Sequence, residues 1–306
     1  MARVYDTIFF GDSLVPAVDA HLSVVSAAVL YGLSVYTVFT LNIAKDGTRL
    51  AFRLSDHYKR LVHSAKIIGI DTFSNTWSEE RFLQAIKSLV EANAPTENVM
   101  VRVTVHVSEL IPGTRARGLT STLSAFVYSS APVLPPLGAR LKTSVWRRIP
   151  DYCIPARAKV NGAYINSILA KQDAIDCNYD DCIILDNNGH VCELSAANIF
   201  IVRDGNLITP SPDHDILEGI TRRTILEIAR DLDIPTFERT VDLTELYIAD
   251  EIFASGTSIG ATPVIEVDAR PVASGSIGPI TLKIRERFQS ILLGTSDKYR
   301  HLVTII

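Results

Sequence analysis

The sequence predicts a mixed α/β fold in two domains, and three observations carry that reading. The chain has 306 residues, more than the roughly 250–300 at which a single hydrophobic core usually stops growing. Its hydrophobic pattern switches repeatedly between strand-like alternation and helical spacing, without the regular strand–helix–strand order of a doubly wound sheet or an α/β barrel. The segment Ser129-Ser130-Ala131-Pro132-Val133-Leu134-Pro135-Pro136 puts three prolines in five positions and reads as a linker. A smaller N-terminal domain over 1–128, the linker over 129–136 and a larger C-terminal domain over 137–306 follow. Hydrophobic residues make up 47% and charged residues 21%, which excludes disordered, collagen-like and coiled-coil classes. The net charge of −4, from 30 Lys+Arg against 34 Asp+Glu, gives no electrostatic case for nucleic acid or acidic lipid as a partner.

The first stretch to interpret runs from Leu22 to Ala44, 23 residues without a charge, which is long enough to span a bilayer as one helix. Its period changes part-way. Val24, Ala27, Ala28 and Tyr31 fit a helical stripe, Gly32 punctuates, and Ser34 to Leu41 is rich in β-branched and aromatic residues. A buried helix followed by a buried strand fits better than a membrane span. Upstream stand Asp6, Asp12 and Asp19 rather than a basic leader, so a cytoplasmic protein is expected. Ser55 is the expected N-cap of a helix over 55–68, with Tyr58, Leu61, Val62, Ala65 and Ile68 on its apolar face. A second helix covers 78–93. Residues 101–107 alternate four valines with Arg102, Thr104 and His106, which is a strand, and 121–128 is another. Beyond the linker, 141–146 reads as a strand and 161–175 as a helix through Tyr164, Ile165, Ile168 and Leu169. Strands at 182–185 and 198–202 flank a turn at Asn187-Asn188-Gly189. A helix over 221–232, strands at 251–254 and 264–267 and a helix over 279–293 complete the order. Cys153, Cys177, Cys182 and Cys192 form no C-x-x-C pair and read as reduced thiols.

No Walker A loop, G-x-G-x-x-G or H-E-x-x-H is present, and no metal site is expected. Gly256-Thr257-Ser258-Ile259-Gly260 fits the G-x-S-x-G nucleophile elbow of α/β-hydrolases, which needs a helix after it. Ala261-Thr262-Pro263-Val264-Ile265 reads instead as a turn into a strand, so these small residues suit an anion-facing turn better. Gly219 precedes an amphipathic helix, whose first N–H groups and dipole also favour an anion. Lys159, among small and apolar neighbours, is a candidate for a desolvated amine suited to Schiff-base chemistry.

The Lys159 segment, Glu193-Leu194-Ser195-Ala196-Ala197-Asn198-Ile199-Phe200, Leu217-Glu218-Gly219-Ile220-Thr221-Arg222-Arg223 and Ser255-Gly256-Thr257 occur in one order and spacing. Together with Tyr31-Gly32 and His57-Tyr58-Lys59-Arg60-Leu61, this order resembles the class IV aminotransferases, fold-type IV pyridoxal-phosphate enzymes, and above all the branched-chain amino acid aminotransferases. The resemblance implies a small N-terminal α/β domain, a larger domain built on a pseudo-barrel of strands flanked by helices, and a homodimer. It implies pyridoxal 5'-phosphate as cofactor, with Lys159 as the Schiff-base lysine that also moves the proton between substrate and cofactor. Glu193 pairs with the pyridine nitrogen in that picture, and Tyr164 with the phenolic oxygen. Arg60, Ile220, Thr221 and Thr257 hold the phosphate. Arg102, with the amides of Thr257 and Ser258, takes the substrate carboxylate. The match is weaker on the substrate side. Tyr36-Thr37-Val38-Phe39-Thr40 stand where branched-chain enzymes usually carry Phe-Glu-Gly-x-Arg, and Met100 stands where a tyrosine is common. Tyr31, Tyr36, Val38 and Thr40 are therefore the residues expected to set the substrate. The implied reaction moves an amino group between a hydrophobic, branched-chain-like amino acid and a 2-oxo acid such as 2-oxoglutarate or pyruvate. A D-amino acid or (R)-amine transaminase and an aminodeoxychorismate lyase-like enzyme are the alternatives on the same scaffold.

Overall fold

A computed structural model describes residues 2–306. In chain order the elements are β1 (Val4–Phe10), β2 (Ser13–Pro16), α1 (Ala27–Tyr31), β3 (Ser34–Ile43), β4 (Arg49–Phe52), α2 (Leu54–Ile68), α3 (Asp71–Thr76), α4 (Glu79–Asn93), β5 (Val99–Val107) and β6 (Ser121–Ser129). There follow β7 (Ala139–Arg147), α5 (Tyr164–Asp176), β8 (Asp181–Leu185), β9 (Val191–Leu194), β10 (Asn198–Arg203), β11 (Asn206–Thr209), α6 (Ile220–Asp231), β12 (Thr236–Glu238), α7 (Leu243–Leu246), β13 (Glu251–Gly256), β14 (Gly260–Val267), β15 (Arg270–Pro271), α8 (Pro279–Leu292) and β16 (Val303–Ile305). They form two compact units: residues up to Ala131 with 158–162 and 291–306, and residues 132–157 with 163–290.

The first unit is a seven-stranded sheet in the order β16-β4-β3-β5-β6-β1-β2. Alternation in β5 turns Val101, Val103, Val105 and Val107 to one face, where all four are fully buried together with Phe39, Leu61, Phe82, Ile86 and Leu89 from neighbouring strands and helices. Each such side chain contributes about 1.5–3 kcal/mol by leaving water, so this face anchors the unit. The opposite face carries Tyr36, Val38 and Thr40 of β3, paired residue for residue with Thr104, Arg102 and Met100 of β5. Below its pairing with β4, the edge of β3 is covered by the segment containing Lys159. The Tyr36 N–H donates to the Lys159 carbonyl (3.0 Å), the Asn161 N–H donates to the Ser34 carbonyl (2.9 Å), and Val35 bridges Val160. These backbone contacts fix the lysine's position.

Two expectations fail in this unit. Leu22 to Tyr31 is not a buried helix: Gly32, in the left-handed region at φ 66°, stops α1 after five residues. One turn cannot turn a stripe inward, and of the expected stripe only Ala27 is fully covered, with Val24 74% and Tyr31 49% exposed. A Cβ on Gly32 would also stand 2.9 Å from the Gly162 Cα, so this glycine serves both the turn and the lysine segment. Nor is Ser55 the cap of α2, since Arg53 occupies that position at φ 48° without a side-chain cap. The buried face of α2 is Leu54, His57, Leu61, Ser64 and Ala65, shifted from the expected one by two polar residues. The strand half of the uncharged run is buried as expected, and among the described residues no helix is long and apolar enough to cross a membrane.

In the second unit, β7-β8-β9-β10-β13-β14 pair in sequence and β14 pairs back onto β7, closing a six-stranded barrel. The closing contact between β9 and β10 is the single pair Glu193–Asn198. Leu141, Ile183, Leu194, Ile199, Ile252 and Val264 fill the core, as in small barrels generally. The helix face expected from 161–175 is reversed. In α5 the packed residues are Asn166, Ser167, Ala170 and Ala174, while Ile165 is 62% and Ile168 59% exposed. The four cysteines are free thiols.

Candidate active site

In the first unit Tyr36 and Arg102 meet the Lys159 segment. The Lys159 N–H donates to Ser64 Oγ on α2 (3.0 Å), and Lys159 Nζ lies 4.9 Å from the centroid of the Tyr36 ring. The Arg102 guanidinium stands 3.7 Å from that same centroid and donates to Asn161 Oδ1 (2.9 Å). Asn161 in turn donates to Ser34 Oγ (2.6 Å). Tyr36 thus has a cation–π contact with both groups, and Asn161 joins the lysine segment to β5. Along the same strand face, burial and the nearby Arg102 push the His106 imidazole down from 6.5 to about 4. Burial raises the Tyr128 phenol against the opposing pull of Arg102. His106 is therefore neutral near pH 7, and among the described residues Arg102 is the one charge that β3, β5 and β6 present on this face. Arg60 comes from α2 and donates to Thr37 Oγ1 (3.1 Å), which also contacts His57 Nδ1 (2.7 Å). The neighbouring Asp56 pairs with Arg53 (2.8 Å). Val38 and Thr40 lie half-buried on the Tyr36 face, and Tyr31 is exposed at the end of α1.

The second unit carries the other residues. Glu193 is 6% exposed. Its Oε1 pairs with Arg148 (2.9 Å), and its Oε2 accepts from Asn198 Nδ2 (3.1 Å) and from the Leu217 N–H (3.2 Å). Two residues beyond Leu217, Gly219 caps α6 without a side-chain cap bond, so the N–H groups of Ile220 and Thr221 form an uncapped helix start. A Cβ on Gly219 would fall 2.2 Å from Asn198 Oδ1; only glycine lets the helix start this close to the Glu193 clamp. Thr257 and Ser258 occupy the hairpin turn between β13 and β14, closed by the Gly256–Gly260 pair with Gly260 at φ 60°. Strand β14 follows with no helix, so the hydrolase reading of this motif fails on geometry. Ser255, paired with Asn198, keeps a buried Oγ without a protein partner. Tyr164, partly buried, opens α5.

Sequence reasoning did not nominate Ser64, Asn161, Arg148 or Asn198, although Asn161 and Asn198 lie inside motifs that it quoted. A polar residue on the packed face of α2 was the available signal for Ser64; Arg148 has no local signal.

The family model described as amino-transferase class IV matches residues 34–267. The chain belongs to the class IV aminotransferases. This class IV aminotransferase is 33% identical over 302 residues to a probable branched-chain-amino-acid aminotransferase of Aquifex aeolicus, covering 98% of this chain and 96% of that one. It is 34% identical over 301 residues to the branched-chain-amino-acid aminotransferase of Escherichia coli K12, with 96% of each covered. Among solved structures, the branched-chain aminotransferase of Thermoproteus uzoniensis with norvaline aligns at a TM-score of 0.93 with 35% identity, over 98% of this chain and 99% of that one. The branched-chain amino acid aminotransferase of Thermobaculum terrenum in its pyridoxal-phosphate holo-form aligns at 0.91 with 28% identity, over 98% of each.

Class IV aminotransferases work with pyridoxal 5'-phosphate, and so does this one. Its residues fit that group on three counts. Lys159 offers a primary amine on a segment pinned at both backbone groups. Glu193 offers a buried carboxylate, and Ser255, across Asn198 from it, a buried hydroxyl without a protein partner. The α6 start and the Thr257 turn offer backbone N–H donors of the kind a phosphate dianion takes.

Proposed function

We propose that this class IV aminotransferase moves the amino group of a branched-chain or related hydrophobic L-amino acid to a 2-oxo acid such as 2-oxoglutarate or pyruvate. One observation carries the substrate choice. The face made by Tyr36, Val38, Thr40, Met100, Phe126 and Tyr128 is predominantly apolar, and apart from Lys159 at its edge its strands present a single charge, Arg102, which suits an apolar side chain on a molecule bearing a carboxylate. The names of the relatives agree with this reading.

Bound pyridoxal phosphate supplies an aldehyde and a ring that takes up electron density when a substrate proton leaves. Lys159 Nζ is assigned to hold the aldehyde carbon and to move the proton at the substrate Cα. Glu193, fixed by Arg148, Asn198 and the Leu217 amide, is assigned to keep a proton on the pyridine nitrogen, and Tyr164 to donate to the phenolic oxygen. Arg60, Ile220, Thr221 and Thr257 are assigned to the phosphate. Arg102 orients the substrate carboxylate, helped by the Thr257 and Ser258 amides, while Tyr31, Tyr36, Val38 and Thr40 select the side chain. Four free thiols support a reducing, cytoplasmic setting, and the uncovered apolar face of α5 supports a homodimer.

Spectrophotometry tests this directly. The purified enzyme should be yellow, L-leucine should bleach the cofactor band, and D-alanine and (R)-1-phenylethylamine should leave it. Lys159→Ala should lose the band together with all turnover. Bleaching by D-alanine alone would overturn the L-amino acid assignment, and release of pyruvate from aminodeoxychorismate without an acceptor would make the enzyme a lyase.

A further inference from the structure

Outside the residues assigned to the cofactor, the second unit gathers Asp186, His190 and His214. Asp186 follows β8 and is 5% exposed. Its Oδ1 accepts from the backbone N–H groups of Asn188 (2.8 Å) and His190 (2.9 Å). That anchors the carboxylate so that Oδ2 faces both imidazoles, at 3.3 Å from His190 Nδ1 and 3.3 Å from His214 Nδ1. Burial pushes the Asp186 carboxyl up, but the His190 backbone N–H, the His214 side chain and the Asn188 backbone N–H outweigh it and hold the group below its usual range.

Both 3.3 Å separations are longer than the about 2.7–2.9 Å of a charge-assisted imidazole–carboxylate hydrogen bond, and only the His214 contact still counts as a hydrogen bond. They do match the edge of a tetrahedron around a cation. Bonds of about 2.0–2.2 Å to nitrogen and oxygen place neighbouring ligand atoms roughly 3.3–3.5 Å apart. The one-atom-per-residue ligand set lies within 4.8 Å throughout. His190 Nδ1 is buried without a hydrogen-bond partner, aimed at the same point as the carboxylate.

The far nitrogen of His214 supplies an independent observation. His190 Nε2 stands 3.6 Å from Asp242 Oδ1, beyond hydrogen-bond reach, but His214 Nε2 lies 2.9 Å from Thr240 Oγ1. Metal-bound imidazoles characteristically engage their other nitrogen with an oxygen in this way, which sets the tautomer with a lone pair on the metal side. Two imidazoles and one carboxylate suit zinc and its borderline neighbours rather than magnesium or calcium.

We propose that Asp186 Oδ2, His190 Nδ1 and His214 Nδ1 form a binding site for one zinc-class divalent cation, with solvent as fourth ligand. The site ties together the turn before β9, the loop leading to α6 and the approach to α7. His190 stands three residues before Glu193, and His214 three before Leu217, whose N–H holds Glu193. An ion here braces both sides of that clamp without touching it.

The test is calorimetric titration of chelator-stripped holoenzyme with zinc chloride, read beside thermal unfolding. One zinc per chain and a raised Tm are expected, with the site lost in His214→Ala and in His190→Ala. Thr240→Val guards against a misfolding artefact. Thr240 is exposed and valine keeps its β-branched shape, so this variant should fold and keep parental turnover. Without the hydroxyl beside His214 Nε2 it should nonetheless bind zinc about 10–100-fold more weakly, the usual effect of losing an outer-shell partner. Wild-type enzyme that takes up no zinc, or a His190→Ala/His214→Ala double variant that takes up as much, would overturn the proposal.

Discussion

Glu193 shows how much a single side chain carries here. Its carboxylate answers the Arg148 guanidinium and two N–H donors, and its backbone makes the only pairing that closes the barrel between β9 and β10. Removing one partner of a buried ion pair strands the other, at a cost on the order of 3–5 kcal/mol. Glu193→Ala should therefore lower the unfolding free energy from urea titration by that much and abolish turnover. Glu193→Gln, which keeps the shape and an acceptor, should stay folded and lose kcat through its effect on the ring nitrogen. Equal kcat in Glu193→Gln and the parent would remove Glu193 from the chemistry. Lys159, Glu193 and the Gly219 turn can be nominated from the sequence because each sits in a short motif of unusual residues. Their supports cannot, because Lys159 meets Ser64 across 95 positions and Arg102 meets Asn161 across 59. No local pattern announces such a partner, and serine on the packed face of a helix looks like a flaw in its periodicity until the lysine segment is seen against it.

Elements with strong periodicity behave as the sequence says. The helices expected over 78–93, 221–232 and 279–293 are Glu79–Asn93, Ile220–Asp231 and Pro279–Leu292, and the valine strand is Val99–Val107. Strands of two to four residues, β2, β4, β9, β12, β15 and β16 among them, were missed because partners and not propensity create them; β16 exists by pairing Val303 with Phe52. The polar face of β5 makes its own prediction. His106 is pushed down from 6.5 to about 4 by burial and by Arg102, so between those values the unfolded chain binds the proton that the folded chain refuses. Stability is full above pH 6.5 and should fall as the pH drops toward 4, with a slope of up to about 1.4 kcal/mol per pH unit from this one group. Urea midpoints measured from about pH 4.5 to about pH 7, across that window, should show the decline in the parent and a flatter curve in His106→Gln. Identical curves would mean that His106 protonates as freely in the folded enzyme as in water.

At the scale of the whole molecule, what the sequence could not say is which way an apolar stripe faces. Ile165, Ile168 and Leu169 recur at helical spacing, and a lone chain would bury them. Yet α5 packs inward through Asn166, Ser167, Ala170 and Ala174, and leaves Ile165, Ile168, Leu169 and Ile175 between 39% and 62% exposed. In the same unit Tyr152 is 86% and Val145 72% exposed. Monomeric proteins rarely leave so much apolar side chain to water, and a second copy of the chain is the cover we propose for it. Light scattering on a sizing column should therefore give twice the chain mass of 33.6 kDa. Ile165→Glu with Ile168→Glu should convert the dimer to a monomer with its circular dichroism intact, because neither side chain holds the fold of its own chain together. Ala170→Glu, at a fully buried position on the inner face of the same helix, should unfold the unit instead. That contrast separates a face kept for a partner from one kept for the core. A parent enzyme that runs as a monomer at micromolar concentration would leave the outward stripe of α5 without a cover and end the dimer assignment.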